Sequence, residues 1–285
     1  MNQLVAAFND VTLNKNSDLA ARETLGRIGN LEVRLAANTS EIEAALRLRK
    51  KVFFDECGAK LLKKNALIDH DYFDDYCDHL IVLDREIIGS EASKIVGTYR
   101  LMQKHHAARA GGYYSAAEFA VAGLIARHPN RRFLELGRSC VLPRYRAKRT
   151  IEVLWQGIWA YCLQNEIDVM MGCASFSGVI PAKHAQALSF LNSHARATHE
   201  WHIAPLAGRY VSMDLVPAEA INLKSALAEL PPLIKGYLRL GAIFGDGAVI
   251  DHDFNSIDVM VVLPREKITQ RYRSHFGENA ERFAA

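Results

Sequence analysis

Apolar Leu31, Val33 and Leu35 alternate with polar Glu32 and Arg34, the period-two pattern of a short half-buried strand. Ser40-x-x-Glu43 then reads as a capping box opening a helix to about residue 56, with Ile42, Ala45, Leu46 and Phe53 on one face. Strand-like runs follow at His79–Leu83, Lys94–Met102 and Arg132–Leu142. Ile151, Leu154, Ile158 and Cys162 form one stripe, which predicts a helix from about Thr150 to Gln164. Beyond it the pattern predicts a strand at Ile167–Ser175, a helix started by Pro181, a strand at Arg209–Val216 and a helix begun by Pro231-Pro232. A last strand at Ile257–Leu263 precedes a helix around Arg265–His275. Strands first, then strand-helix-strand, predict an α/β protein with a mixed sheet covered by helices. Residues 1–30 read as a leader or helical extension, 31–217 as the core and 218–285 as a carboxy-terminal extension packed on it.

The chain has 285 residues, 49% of them hydrophobic, enough for one substantial core or two modest ones, which argues against disorder. Lys plus Arg exceed Asp plus Glu by 35 to 32, an excess that says little until its distribution is examined. Five cysteines without C-x-x-C spacing read as reduced thiols, and burial as small hydrophobes suits all of them. No charged leader precedes an apolar signal core, and no apolar run approaches the roughly 20 residues of a membrane span, since even 241–250 is broken by Asp246. The expected location is cytoplasmic, at most peripheral to the inner membrane. His199-Glu200-Trp201-His202 and Asp251-His252-Asp253 lack the spacing of a helical zinc site, so no metal is expected. A G-x-S-x-G nucleophile elbow is absent, and Cys140 or Cys173 would serve as covalent carriers only if paired in space with a histidine.

Arg49 falls on the apolar face of the first helix, either snorkelling at its edge or acting as a fixed cation for the acidic residues that follow. Those are Asp69, Asp71, Asp74, Asp75 and Asp78, set around Tyr72, Phe73 and Tyr76. A calcium loop would place a ligand where Phe73 stands and Gly where Asp74 stands, so a solvated acidic turn or a cation-binding run are the remaining readings. Arg100, inside an apolar strand, is an edge residue or a buried cation with a carboxylate partner. Strict alternation through 132–142 would put Glu135 and Arg138 on opposite faces, whereas a bulge near Gly137 would bring both to one side and expose backbone donors. Between Arg131 and Arg149 lie seven basic residues against one acidic, a local charge of +6 leading into the helix near Thr150, where free N–H groups favour phosphate.

The segment Glu135-Leu136-Gly137-Arg138-Ser139-Cys140-Val141, followed by Gly172-Cys173-Ala174-Ser175-Phe176, resembles the core of the ornithine acyl-carrier-protein N-acyltransferases, a branch of the GNAT superfamily. The resemblance extends over roughly residues 31–276. It includes Cys77-Asp78-His79-Leu80, Gly97-Thr98-Tyr99-Arg100, Tyr113-Tyr114-Ser115 with Glu118-Phe119, Leu154-Trp155-x-Gly157-Ile158 and the run from Lys235 to Gly241. Arg49 with Phe53, Asp71-x-Phe73-Asp74, Arg100, and Glu135 with Arg138 are also similar to the acyl-homoserine-lactone synthases. Two departures stand out. Val141-x-Pro143-x-Tyr145-Arg146 looks like the approach to the GNAT phosphate loop, but Arg149 and Ile151 replace its usual glycines, and Val179-Ile180-Pro181 stands where a Thr-Asp-Pro-like helix start is expected.

The resemblance implies a GNAT-like, largely antiparallel sheet with extra amino- and carboxy-terminal helices. It also implies transfer of a 3-hydroxyacyl group from an acyl carrier protein thioester to the α-amine of L-ornithine, giving lyso-ornithine lipid and holo carrier protein. Acyl transfer needs a base, because an ammonium is not a nucleophile; Glu135 is the candidate, with Arg138 beside it, unless Glu135 is a structural ion pair with Arg100 or Arg138. Arg49, Asp71, Asp74, Arg100, Cys140 and Val141 are the expected substrate-binding residues, the carboxylates suiting the two ammonium groups of a diamino acid. Arg144, Arg146, Lys148 and Arg149 are expected to meet the phosphopantetheine arm of the acidic carrier protein, which delivers the acyl group with no resident cofactor. No aromatic-interleaved surface suggests nucleic acid. The rival expectations are an acyltransferase for another amino acid or a signalling lipid, and a non-catalytic module binding acyl carrier protein.

Overall fold

One sheet of eight strands organises the chain in the computed structural model, which describes residues 23–60 and 66–268. The strands are β1 (Thr24–Ile28), β2 (Leu31–Leu35), β3 (Asp78–Asp84), β4 (Ile95–Gln103), β5 (Phe133–Val141), β6 (Val169–Ser177), β7 (Ile243–Asp251) and β8 (Ser256–Pro264). They lie in the order β1-β2-β3-β4-β5-β6-β8-β7, antiparallel throughout except between β5 and β6. The helices are α1 (Thr39–Lys50), α2 (Lys104–Arg109), α3 (Val121–Arg127), α4 (Lys148–Gln164), α5 (Ala185–His194), α6 (Leu223–Glu229) and α7 (Pro232–Leu240). The expected α/β class, a mixed and largely antiparallel sheet flanked by helices, is what forms. No described helix is long and apolar enough to cross a membrane.

Alternation sorts the core into two layers. On one face Val33, Leu80, Val82, Leu134 and Leu136 pack with Leu154, Ile158 and Cys162 of α4 and with Ile234 and Tyr237 of α7. The opposite face carries Ile81 and Leu83 beneath Ala45 and Leu48 of α1, and farther along Met102, Phe133 and Met260 beside Ala107 of α2 and Leu124 of α3.

Several expected boundaries move. Asn38, not Ser40, caps α1: its side chain accepts from the Glu41 amide at 3.0 Å, while the Glu41 carboxylate, gripped by Arg34 at 2.7 Å, accepts from the Ala37 amide at 2.8 Å. The helix then continues as a π-helical turn over Lys51–Glu56. β1 falls within the stretch read as a leader, and residues 1–22 lie outside the described part. Residues 209–216 make only the single bridge Val211 with Ala248 instead of a strand. Besides β1, the strand missed is β7, whose alternation is interrupted at Gly245-Asp246-Gly247, where its register against β8 shifts. Past residue 217 the described chain supplies β7 and β8, two strands of the same sheet, so this part of the expected extension is built into the core. The helix expected from Arg265 begins as one 3-10 turn, Arg265–Lys267, and its remainder to His275 falls outside the described residues.

The feature that positions the site is a fork between β5 and β6. Each strand has nine residues, yet only Phe133–Glu135 are in register with Val169–Met171, while β6 stays paired with β8 from Val169 to Ser177. The bend lies in β5. Gly137 faces Arg100 and Cys140 faces Thr98, so three steps on β5 match two on β4, and Arg138 takes the left-handed conformation with φ 51°. At the crotch, Gly172 lets two backbones meet: a Cβ there would lie 2.1 Å from the Leu136 carbonyl oxygen. Gly172→Ala is expected to destabilise the fold by about 1–3 kcal/mol through this overlap. Gly123→Ala, on the exposed face of α3, should stay within about 0.5 kcal/mol of the parent. Chemical-denaturation midpoints of the two variants check the contrast.

Candidate active site

Where β5 parts from β6 a cleft of about 310 Å³ opens through the sheet, and its two halves differ in chemistry. Tyr99, Leu136, Ala174 and Phe176, all on the α4 face, line one half with Leu233 of α7. Arg100, Glu135, Arg138 and Asp258, projecting to the other face, line the second half. One residue of strand separates an apolar wall from a charged one.

Behind the charged half lies a lattice of three arginines and three aspartates. Arg49, 1% exposed, donates through Nε to Asp69 at 2.8 Å and through Nη1 to Asp74 at 2.6 Å. Arg100 Nη1 donates to Asp71 at 2.7 Å and to Asp74 at 3.2 Å, and Arg138 Nη2 donates to Asp71 at 3.1 Å. The turn presenting these acids is self-capped, since Asp71 accepts from the Phe73 amide and Asp74 from the Asp71 amide. Burial alone would raise the Asp74 carboxyl, but the Arg49 and Arg100 guanidinia outweigh it and hold the group well below the usual carboxylate range. The same balance, with Arg100 and Arg138 as partners, lowers Asp71. Asp75 instead pairs with His70 at 3.1 Å, and Asp78 accepts from the Tyr161 hydroxyl at 2.5 Å. Of the readings open for Arg49, the fixed cation holding the acidic run is the one that forms, and Arg100 is likewise a buried cation with carboxylate partners.

Among the described residues, Glu135 forms no ion pair with Arg100 or Arg138. Its carboxylate accepts from the Tyr114 amide at 2.8 Å, from the Ser115 amide at 2.8 Å and from the Ser115 hydroxyl, and burial raises its pKa despite these bonds. Arg138 stands beside it because of the bulge, with its guanidinium 4.8 Å from the Tyr114 ring centroid and 4.2 Å from that of Phe254. Phe254, at the β7–β8 turn, meets Phe53 of the π turn edge-on at 5.9 Å, closing this side.

A second acidic group borders the charged half. Burial raises Asp258 to about 6, against hydrogen bonds from Ser175 and Ser256. Burial, then the Asp258 charge, raises Glu118 to about 7, although Arg209 lies 3.1 Å away. Ligand atoms of Glu118, Cys173 and Asp258 lie within 4.8 Å of one another. The Cys173 thiol is pushed well above its ordinary pKa, chiefly by burial and then by the Asp258 and Glu118 charges. Asp258 carried a sequence signal: Ser256 and Asp258 are the polar members of an otherwise apolar strand. Glu118, in a short loop, carried none beyond its place in the resemblance.

The structure thus gathers Arg49, Asp71, Asp74, Arg100, Glu135 and Arg138 at one place. Cys140 and Val141 are not among the described residues that line the cleft. The extra residue in β5 turns Cys140 under α1 with Leu48 and Val52, where burial pushes its thiol to about 12, and Val141 packs beside Gly97. Arg144, Arg146, Lys148 and Arg149 are exposed around the start of α4, but Arg146 is paired with Glu56 and Lys148 lies 3.3 Å from Glu152.

Comparison with known proteins places this arrangement. A sequence profile described as an acetyltransferase (GNAT) domain matches residues 48–156. The chain is 53% identical to the L-ornithine N(alpha)-acyltransferase of Agrobacterium fabrum (strain C58 / ATCC 33970), covering 96% of this chain and 95% of that one. It is 56% identical to the protein of the same name from Brucella abortus (strain 2308), over 91% and 93% of the two chains. Among solved structures, an N-acyl amino acid synthase from uncultured soil microbes is similar at 11% identity with a TM-score of 0.49, covering 85% of this chain and 93% of that one.

The lattice makes a stability prediction. Asp74→Asn leaves the Arg49 charge with one carboxylate fewer and is expected to cost about 3–5 kcal/mol. Because the Asp74 pKa is lowered on folding, its contribution is complete above the ordinary carboxylate range and is lost as pH falls through and below that range. The variant should therefore show a shallower loss of stability on acidification, measured by denaturant titration at a series of pH values.

Proposed function

The chain belongs to the L-ornithine N(alpha)-acyltransferases and is an N-acyltransferase, and on that footing we propose that its cleft transfers a 3-hydroxyacyl group from an acyl carrier protein thioester to the α-amine of L-ornithine. The observation carrying this reading is the two-sided fork. Its apolar half suits an acyl chain and its charged half suits a diamino acid, with the strands parted between them.

In this reading Glu135 takes a proton from the α-ammonium, directly or through a water. The freed amine attacks the thioester carbon, the C–N bond forms as the C–S bond breaks, and the carrier thiolate leaves and is protonated. Beyond Glu135 no β6 residue is in register with β5, so that strand edge is where N–H groups can meet the developing oxyanion. Arg138 supplies the cation for the α-carboxylate, and Asp258, with Glu118 behind it, supplies the counter-charge for the side-chain ammonium. Asp71 and Asp74, expected to bind the amine, instead fix Arg100 and Arg138, because their oxygens are already engaged by guanidinia. Exposed Arg144, Lys148 and Arg149 form the docking face for the acidic carrier protein and its single phosphate. Arg149 and Ile151 in place of glycines fit that donor better than a diphosphate. The product is an amphiphile, lyso-ornithine lipid, which gives the enzyme a reason to work beside the inner membrane.

Thiol release from acyl carrier protein, run across amino acids, tests the reading; equal stimulation by neutral amino acids and ornithine would overturn the acceptor assignment. Glu135→Gln is expected to lower kcat at least about 100-fold with the Michaelis constant for the carrier unchanged. Asp258→Asn is expected instead to raise the ornithine constant. The wild-type ornithine constant should rise as pH falls through about 6, where Asp258 takes up a proton, and that dependence should flatten in the Asn variant.

Charge reversal at Arg144, Lys148 and Arg149 should raise the Michaelis constant for acyl carrier protein and weaken its dependence on salt. A rise in the ornithine constant alone would assign the patch to the acceptor.

A further inference from the structure

The apolar half of the cleft contains hydroxyl groups that hydrocarbon does not need. Tyr99, on β4, lies opposite the bulge in β5, between the paired positions Thr98 with Cys140 and Arg100 with Gly137. Its side chain joins Leu136, Phe176 and the α7 residues on the apolar face, and it is 3% exposed. Its hydroxyl lies 3.0 Å from that of Tyr237. The Tyr237 ring is locked edge-on against Trp155 at 5.4 Å, so the pair has little freedom to turn away. Tyr99 and Ser139 both line the cleft.

We infer that the hydrogen-bonded Tyr237–Tyr99 hydroxyl pair, with Ser139 in the same cleft lining, recognises a hydroxyl group on the acyl donor close to its thioester, and so selects hydroxylated over plain chains. This rests on the acyltransferase reading above and adds to it the residues that set donor choice. Each hydroxyl offers one donor and two acceptor sites, so the one bond between the two phenols leaves a donor and several acceptor sites unspent. Against a plain hydrocarbon that capacity is buried and unsatisfied, which is unfavourable; a hydroxyl on the chain satisfies it. Proximity to the thioester follows from the strand: Tyr99 is next in sequence to Arg100, which lines the charged half, so a group touching Tyr99 is a few bonds from the reacting carbonyl. Burial raises both phenols, so both remain neutral donors during turnover.

The test compares kcat/KM for carrier-protein thioesters of one chain length with and without a 3-hydroxyl. Wild type is expected to prefer the hydroxylated donor by about tenfold, the scale of one hydrogen bond with its unpaired-group penalty. Tyr99→Phe should narrow the ratio to about twofold or less, and Tyr237→Phe should narrow it part of the way. A wild-type enzyme indifferent to the hydroxyl overturns the inference while leaving N-acyl transfer standing. So does a Tyr99→Phe variant that loses activity on both donors in equal proportion, since the pair would then be packing only. If Tyr99→Phe fails to fold by thermal melt, Tyr237→Phe decides, and an unchanged ratio there overturns the inference. Absence of thiol release with every donor would instead remove the acyltransferase reading itself.

Discussion

A continuous sheet satisfies its own backbone, and this one gives up part of that satisfaction between β5 and β6. The cleft opens where that concession is made. β6 stays anchored to β8 along its whole length and β5 stays anchored to β4 on either side of its bulge, so the parting is rigid on both banks. The cleft therefore needs no induced opening, and its two walls inherit the alternation of the strands that border it. Apolar and charged chemistry meet at one line because successive residues of a strand cannot face the same way.

Holding three guanidinia behind that line carries a desolvation cost that the aspartates offset. The lattice joins elements far apart in sequence: α1 contributes Arg49, the turn before β3 contributes Asp69, Asp71 and Asp74, β4 contributes Arg100, and the bulge of β5 contributes Arg138. Equal numbers of charges leave it close to neutral, so its service to the site is orientation. It also distinguishes two acidic groups that composition alone would treat alike. Asp71 and Asp74 are saturated by arginine, whereas Asp258 and Glu118 have raised pKa values and far less cationic company.

The sheet class, the bulge near Gly137 and the burial of Arg49 and Arg100 were legible, because each is a local violation of a simple period. An arginine on an apolar stripe and a strand whose parity fails both announce themselves. What was hidden is mostly what those violations do downstream. The bulge that swings Arg138 toward Glu135 also turns Cys140 under α1, which alternation read residue by residue does not convey. A second irregularity, where Ile95 and Gly97 flank Val96 opposite Leu83 and Val82, sets Val96 on the other face from Arg100. Short β1 and the glycine-interrupted β7 lack enough uninterrupted positions to show a period, and both are held by their neighbours in the sheet. The partners of the acidic run were long-range contacts, which no local pattern encodes.

The setting of Glu135 is made largely from main chain. Two of its three hydrogen bonds come from the amides of Tyr114 and Ser115, which every amino acid except proline supplies. Side-chain drift at these positions can reshape the cleft wall and retune what enters it while the amides clamping the carboxylate stay in place. Change in the cleft wall is thereby partly uncoupled from maintenance of the Glu135 setting, and the lesion the loop tolerates least is one that removes an N–H.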